Sequence, residues 1–407
     1  MRGVVHELPT SASTAAEEHR TFTDKALYAT ALVYVASLTS DAVALFPGRS
    51  PSAILGLLVI ALWVIATLYS TSRGQRRTGG GLLLGSAFGF ASWVLVGLFW
   101  TMDIGASLPR VLTFAGLCVT LPALADAFRR GLNGPIVAFI LGAMLISVLL
   151  FANMLTGASV VDASANYRAR AFAANPNDAA LMVTVGAAMA LHLYQTNRGR
   201  ARVAFACCVI VCVLGAMAAG SRTGMVALIG IALVASLRPA SADSSGARKK
   251  SSFLVTATAL SLVVAVVRQF ASILPERLWS TAGAIQSHDL TLRQDIWKAV
   301  LVHYGEWMPW GTGLGTSQYI VNQIYGRLLV VHNAILEVGV DTGVIGMVLC
   351  VAFYVGIFRA ARFSPYRYLI TAAMIPTLIF SLTLSMFAAK TLWLLAALAL
   401  VRVRRLR

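Results

Sequence analysis

Long stretches without Lys or Arg alternate with short basic clusters along the whole chain. A helix that crosses the hydrocarbon core of a bilayer needs about 20 mostly apolar residues, within a range of roughly 17 to 25. Apolar runs of that order lie at approximately 26–46, 52–70, 80–100, 106–127, 134–154, 179–196, 203–220, 224–237, 252–268, 333–357, 368–387 and 389–402. Lipid offers no partner for backbone N–H and C=O groups, so each run must satisfy its own as a helix. The pattern predicts an all-α polytopic membrane protein with about 12 transmembrane helices. The eighth and twelfth runs are short, and their limits are the least sharply marked.

The connections predict the orientation. With the N-terminus inside, alternation collects 22 of the 33 Lys and Arg on the inner side, in clusters at 2–25, 73–77, 129–130, 198–202, 238–250, 359–367 and 402–407. The other side keeps the longest loops and the fewest cations, which is the asymmetry expected of cytoplasmic against outer loops. Both termini are therefore expected in the cytoplasm. The chain divides into a cytoplasmic tail over 1–25, helices one to nine over 26–268 with an outer loop at 155–178, a large outer loop over 269–332, helices ten to twelve over 333–402, and a tail over 403–407. Loops of this length in a compact protein tend to be functional. Within the large loop, Ile296, Val300 and Tyr304 recur at i, i+4, i+8 and predict a helix over 290–304 with those three on one face. The same loop carries Trp279, Trp297, Trp307 and Trp310, rings that suit a membrane interface and also stack on sugars.

Composition narrows the class. Hydrophobic residues make up 58% and charged residues 12%, against roughly 25% charged in a soluble domain, so a soluble reading is excluded. The net charge of +17 is spread between apolar runs rather than over one face, which argues against a nucleic-acid partner and for membrane lipids. Cys118, Cys207, Cys208, Cys212 and Cys350 all sit inside apolar runs, with no disulfide or metal spacing.

Four features on the outer side could carry chemistry, because ionisable residues at membrane depth are costly and usually face a cavity or a partner. Ser221-Arg222-Thr223-Gly224 interrupts two apolar runs and holds Arg222 at the end of a helical hairpin; a snorkelling Arg in a turn is the plainer alternative. Arg293 falls on or beside the apolar face of the 290–304 helix, where an ion pair to Asp289 or Glu306 would be structural. His332-Asn333 opens the tenth helix with Glu337 one turn on, and a helix N-terminus favours the neutral imidazole a base requires, although a structural His is the commoner case. Arg168, Arg170 and Asn175-Pro176-Asn177 lead into the sixth helix and could hold phosphate, or be solvated loop. Together, outer arginines and one histidine suggest a diphosphate site beside a general base. No carboxylate cluster suited to Mg²⁺ or Mn²⁺ accompanies them, so neither metal nor cofactor is expected and arginine must neutralise the phosphate.

In this layout the chain resembles the O-antigen ligase and polymerase superfamily of bacterial inner membranes, in particular the WaaL-type O-antigen ligases. The resemblance rests on Asn175-Pro176-Asn177, Ser221-Arg222-Thr223-Gly224, Arg293, and His332-Asn333 with Leu336-Glu337. It implies a GT-C-like fold and a periplasmic active site. The implied reaction is metal-independent, inverting transfer of an undecaprenyl-diphosphate-linked glycan to lipid A–core oligosaccharide. Arg222 and Arg293 would hold the donor diphosphate, His332 would activate the acceptor hydroxyl, and Arg168, Arg170, Asn175, Asn177, Asn333 and Glu337 could contact substrate. Other readings are a Wzy-type polymerase, a protein O-oligosaccharyltransferase and a non-enzymatic lipid-linked glycan transporter. Clustering of the candidates on one side disfavours the transporter, which needs access from both.

Overall fold

The computed structural model describes residues 11–40, 50–68, 80–156, 176–236, 289–326, 329–385 and 387–402. Their regular structure is entirely helical. In chain order the helices are α1 (Ser11–Ser37), α2 (Pro51–Leu68), α3 (Gly81–Val96), α4 (Ile104–Phe128), α5 (Gly134–Thr156), α6 (Pro176–Thr196), α7 (Gly199–Ala218), α8 (Arg222–Ser236), α9 (Asp289–Val302), α10 (Tyr304–Trp307), α11 (Ser317–Tyr325), α12 (Ala334–Ala361), α13 (Arg367–Ser381) and α14 (Lys390–Leu400). Seven are long and apolar enough to cross a bilayer: α2, α3 with its extension to Phe99, α4, α5, α6, α7 and α12. Helices α8, α13 and α14 are apolar but shorter. The protein is a multi-pass membrane protein. The ninth expected helix, 252–268, lies outside the described residues.

Two sequence boundaries shift. Helix α1 begins at Ser11 rather than near residue 26, because the polar residues 11–24 are rich in the helix formers Ala and Glu and extend the apolar segment. It ends in a short 3₁₀ turn, Leu38–Ser40, before residue 46. The shortest apolar helix, α14, is buried from Thr391 to Leu400 and packs against α4, α12 and α13. A helix apolar on every side belongs inside a bundle. Small residues let the other helices approach: a Cβ on Gly186 would lie 2.4 Å from Ala143 Cβ, and one on Gly215 2.5 Å from Ser147 Cβ.

The bundle has two chemically different ends. At one, Arg130 pairs with Asp24 at 2.6 Å, Ser364 Oγ donates to Leu398 O at 2.8 Å and Arg402 donates to Ala360 O at 2.8 Å. These belong to the basic clusters that the sequence places together. The other end collects the starts of α2, α4, α6, α8, α12 and α14, and the candidate site lies there.

Helix α12 breaks at Gly343, whose φ of 67° and ψ of −167° are open only to glycine. The segment 309–317 fills the break. Val340 O accepts from Thr312 N and Asp341 O from Gly313 N, both at 2.9 Å, while Val344 N donates to Pro309 O at 3.0 Å. Thr342 O accepts from Trp93 Nε1 at 2.7 Å. The carbonyls and amide freed by the break are thereby satisfied. A Cβ at Gly343 would lie 1.9 Å from Pro309 O. Gly343→Ala should therefore lose roughly 2–5 kcal/mol of stability through combined backbone strain and overpacking, read as a lower thermal midpoint in detergent; an unchanged midpoint would mean that the break is not required.

Candidate active site

Two groups of predicted residues form at this end, on separate elements. In the first, Ser221 Oγ accepts the Gly224 amide at 3.2 Å, capping the start of α8. The same hydroxyl donates to Asn177 Oδ1 at 3.0 Å, joining the N-termini of α6 and α8. Arg222 is the first residue of α8 and is half-buried, at the hairpin end where the sequence reading puts it. Two helix N-termini side by side present partial positive charge to an anion. Arg168, Arg170 and Asn175 lie outside the described residues.

The second group is Arg293, His332, Asn333 and Glu337. Helix α9 buries Ile296 and Val300 on one face. Tyr304, expected on that face, is 46% exposed. The chain turns at His303 and starts the short α10, so Trp307 takes the buried position and donates its indole N–H to Val300 O at 3.1 Å. One turn from Arg293, Trp297 donates to Val331 O at 2.9 Å, which ties α9 to the residue before His332. Asn333 caps α12: its Oδ1 accepts the Ile335 and Leu336 amides, each at 3.1 Å. Between these anchors His332 adopts φ 53°, the one non-glycine in the left-handed region among the described residues. Such backbone persists only where its surroundings over-determine it, often at functional sites.

The electrostatics follow from this packing. Burial, and then the Arg293 charge, push the His332 imidazole below its ordinary value. Burial also lowers Arg293, although a guanidinium stays charged at neutral pH. Glu306, considered above as an Arg293 partner, pairs instead with His303 at 2.6 Å. Arg293 has no ion pair among the described residues, which leaves a half-buried cation beside a neutral imidazole. Glu337 accepts a hydrogen bond from Ser385. The two groups are bridged by α13, which packs on α6, α8 and α12.

The depressed His332 gives a signed expectation. A base with a lowered pKa stays deprotonated further into acid, so the acid limb of the rate profile should lie below the ordinary histidine value. Removing Arg293 removes one cause of the depression, and residual activity of Arg293→Gln should have its acid limb displaced toward higher pH. An unshifted limb would separate His332 from the rate.

The sequence reading missed Asp103, Arg110 and Asp341, and took Tyr319 only as one of the aromatic rings of the large loop. Asp103 Oδ1 caps α4 by accepting Gly105 N at 2.8 Å and Ala106 N at 3.1 Å, and Oδ2 accepts the Tyr319 hydroxyl at 2.8 Å. These bonds, Tyr319's first, hold the Asp103 carboxyl below its ordinary range. Asp341, buried, accepts Gly315 N at 2.6 Å and Ser317 N at 2.8 Å. Arg110 and Asp341 each interrupt an apolar run, and that alone marks a functional candidate. No group of three or more His, Cys, Asp or Glu that could hold a metal gathers among the described residues.

Residues 207–351, about a third of the chain, match the family model described as O-Antigen ligase. That stretch runs from α7 into α12 and contains Arg222, Arg293, His332, Asn333 and Glu337. Over that stretch the chain is similar to the O-antigen ligase superfamily. No curated protein matches it. The superfamily comprises glycosyltransferase-like ligases and polymerases that handle lipid-linked glycans. An apolar cavity of about 410 Å³ starts at Ile335, two residues after Asn333, and extends between α12 and α13 past Val338, Cys350, Tyr354 and Leu378 to Phe358.

Proposed function

We propose that the chain ligates an undecaprenyl-diphosphate-linked O-antigen to lipid A–core oligosaccharide at the periplasmic face of the bacterial inner membrane. The observation that carries this reading is the placement of the Arg293 cation beside a desolvated His332, both fixed through Trp297 and Val331. Arg222 and Arg293 hold the donor diphosphate, and the apolar cavity beginning at Ile335 suits its polyprenyl chain. The His332 imidazole takes the proton of the acceptor hydroxyl. That oxygen forms a bond to the anomeric carbon on one face, while the carbon–oxygen bond to the diphosphate breaks on the other. Undecaprenyl diphosphate leaves with the electron pair, and configuration inverts. The arginines stabilise the charge that develops on the leaving group, and no metal or cofactor is required.

The test is the lipopolysaccharide banding of a deletion strain. Loss of all capped bands, with long lipid-linked polymer accumulating, is the expected result. A ladder reduced to a single-repeat cap would assign polymerisation instead, and an unchanged ladder would end both readings.

A further inference from the structure

Helices α3 and α12 run antiparallel side by side: Gly356 lies against Leu83, Gly89 against Leu349, and Trp93 bonds to Thr342. The apolar stretch of α3 with its extension covers 19 residues and ends at Phe99, and α12 from Gly343 to Ala361 has a similar length. Each is about as long as a hydrocarbon core is thick. The bilayer boundary at this end therefore falls near Phe99 and the break at Gly343. Beyond it stand the first turns of α12 and the layer of α9, α10 and α11, which share a small core built on Ile296, Val300, Trp307 and Val321.

Aromatic rings mark that boundary. Trp93, Trp100 and Trp310 cluster with ring centroids 5.5 to 6.3 Å apart. The Met102 amide, donating to Thr312 O at 2.9 Å, ties the two chain segments together beside them. Exposed apolar side chains leave this cluster in two directions. Down α3 and α4 run Leu95, Leu108 and Leu112, on the sides that spanning helices turn to lipid. Across the outer layer, α9 ends in Leu301 and the 80% exposed Val302, and Tyr304 and Trp310 follow. Glu306, two residues after Tyr304 and so on the opposite side of the α10 turn, is exposed and pairs with His303. The layer thus has one apolar edge and one polar edge.

An exposed apolar patch of this kind marks a membrane or partner surface. Its continuity with the lipid-facing sides of α3 and α4 selects the membrane, and Trp and Tyr, each joining an apolar ring to a polar group, suit the headgroup region. We infer that Leu301, Val302, Tyr304 and Trp310 seat the outer layer on the bilayer, dipping into the phospholipid headgroups instead of standing clear in water. The helix that carries Arg293 is thereby held at headgroup depth, whichever reaction the site performs.

The full chain is labelled with a small fluorophore through Val302→Cys or, separately, Glu306→Cys. Cys207 and Cys208 are replaced by serine, while the buried Cys118, Cys212 and Cys350 stay. In phosphatidylcholine nanodiscs, one quencher is a lipid with a nitroxide near the top of its acyl chain and the other is aqueous iodide. The Val302→Cys label should lose most of its fluorescence to the nitroxide lipid and little to iodide, and the Glu306→Cys label should do the reverse. Quenching of the Val302→Cys label by iodide alone would put the edge in water and overturn the inference. Shielding from both quenchers would give the edge to a protein partner and overturn it equally, as would lipid quenching of the two labels alike. A second measurement needs no cysteine variant: lipids brominated near the headgroup should quench a larger fraction of the tryptophan emission in wild type than in the Trp100→Phe/Trp310→Phe double variant. Equal fractions would remove these rings from the boundary and the inference with them.

Discussion

His332→Gln is expected to reduce glycan transfer by about 10²–10⁴-fold, the usual contribution of general-base assistance, while the protein still inserts, purifies and binds lipid-linked donor. Glutamine can orient a hydroxyl but cannot take its proton at neutral pH, so it separates positioning from proton abstraction. His332→Ala should be at least as damaging. The backbone complicates the alanine variant, because φ 53° suits alanine less well than histidine. His332→Gly relieves that strain and supplies the control: transfer should stay lost although the backbone is at ease. A transfer rate for His332→Gln within a few-fold of wild type would remove the imidazole from the chemistry. The anchors at Val331 and Asn333 would then be holding a structural residue.

The second large effect concerns the arginines. Arg222→Lys and Arg293→Lys each keep the charge and lose the planar fork that grips a diphosphate through two parallel bonds. Removing such a contact where charge develops costs about 2–4 kcal/mol in the transition state, so each lysine variant should fall well short of wild type at limiting donor. The effects should differ in kind. Arg222 starts a helix beside a second helix N-terminus, so backbone dipoles remain and Arg222→Lys should chiefly weaken donor binding. Arg293 is desolvated next to His332, so its variant should also displace the pH profile. Full activity of Arg222→Lys at limiting donor would leave Arg222 a snorkelling residue at the end of a hairpin.

Much of the candidate site was legible because its members disturb local patterns. Arg222 breaks a pair of apolar runs, and His332-Asn333 stands where one begins. Arg293 could be assigned to a helix face because Ile296 and Val300 repeat at helical spacing, and both are buried. Tyr304 fails on that same repeat, since spacing cannot report a turn at His303 that ends the helix first. Asn333, expected as a possible substrate contact, also caps α12 through its side-chain amide oxygen. The cap follows from the backbone conformation, which residue type alone does not give.

By itself the sequence determined that this chain lives in a membrane and roughly where its helices run. Those properties depend on the length and polarity of contiguous segments, because lipid requires each spanning segment to satisfy its own backbone. The tertiary structure alone decided that α14 is the bundle's buried centre, that 309–317 enters a break in α12 at Gly343, and that Arg110 lies against Gly315. Each of these depends on residues far apart in the chain meeting, as Asp103 meets Tyr319 across 216 positions. No local periodicity encodes such a meeting; it follows from which helices can approach closely enough to satisfy one another's exposed carbonyls, amides and charges.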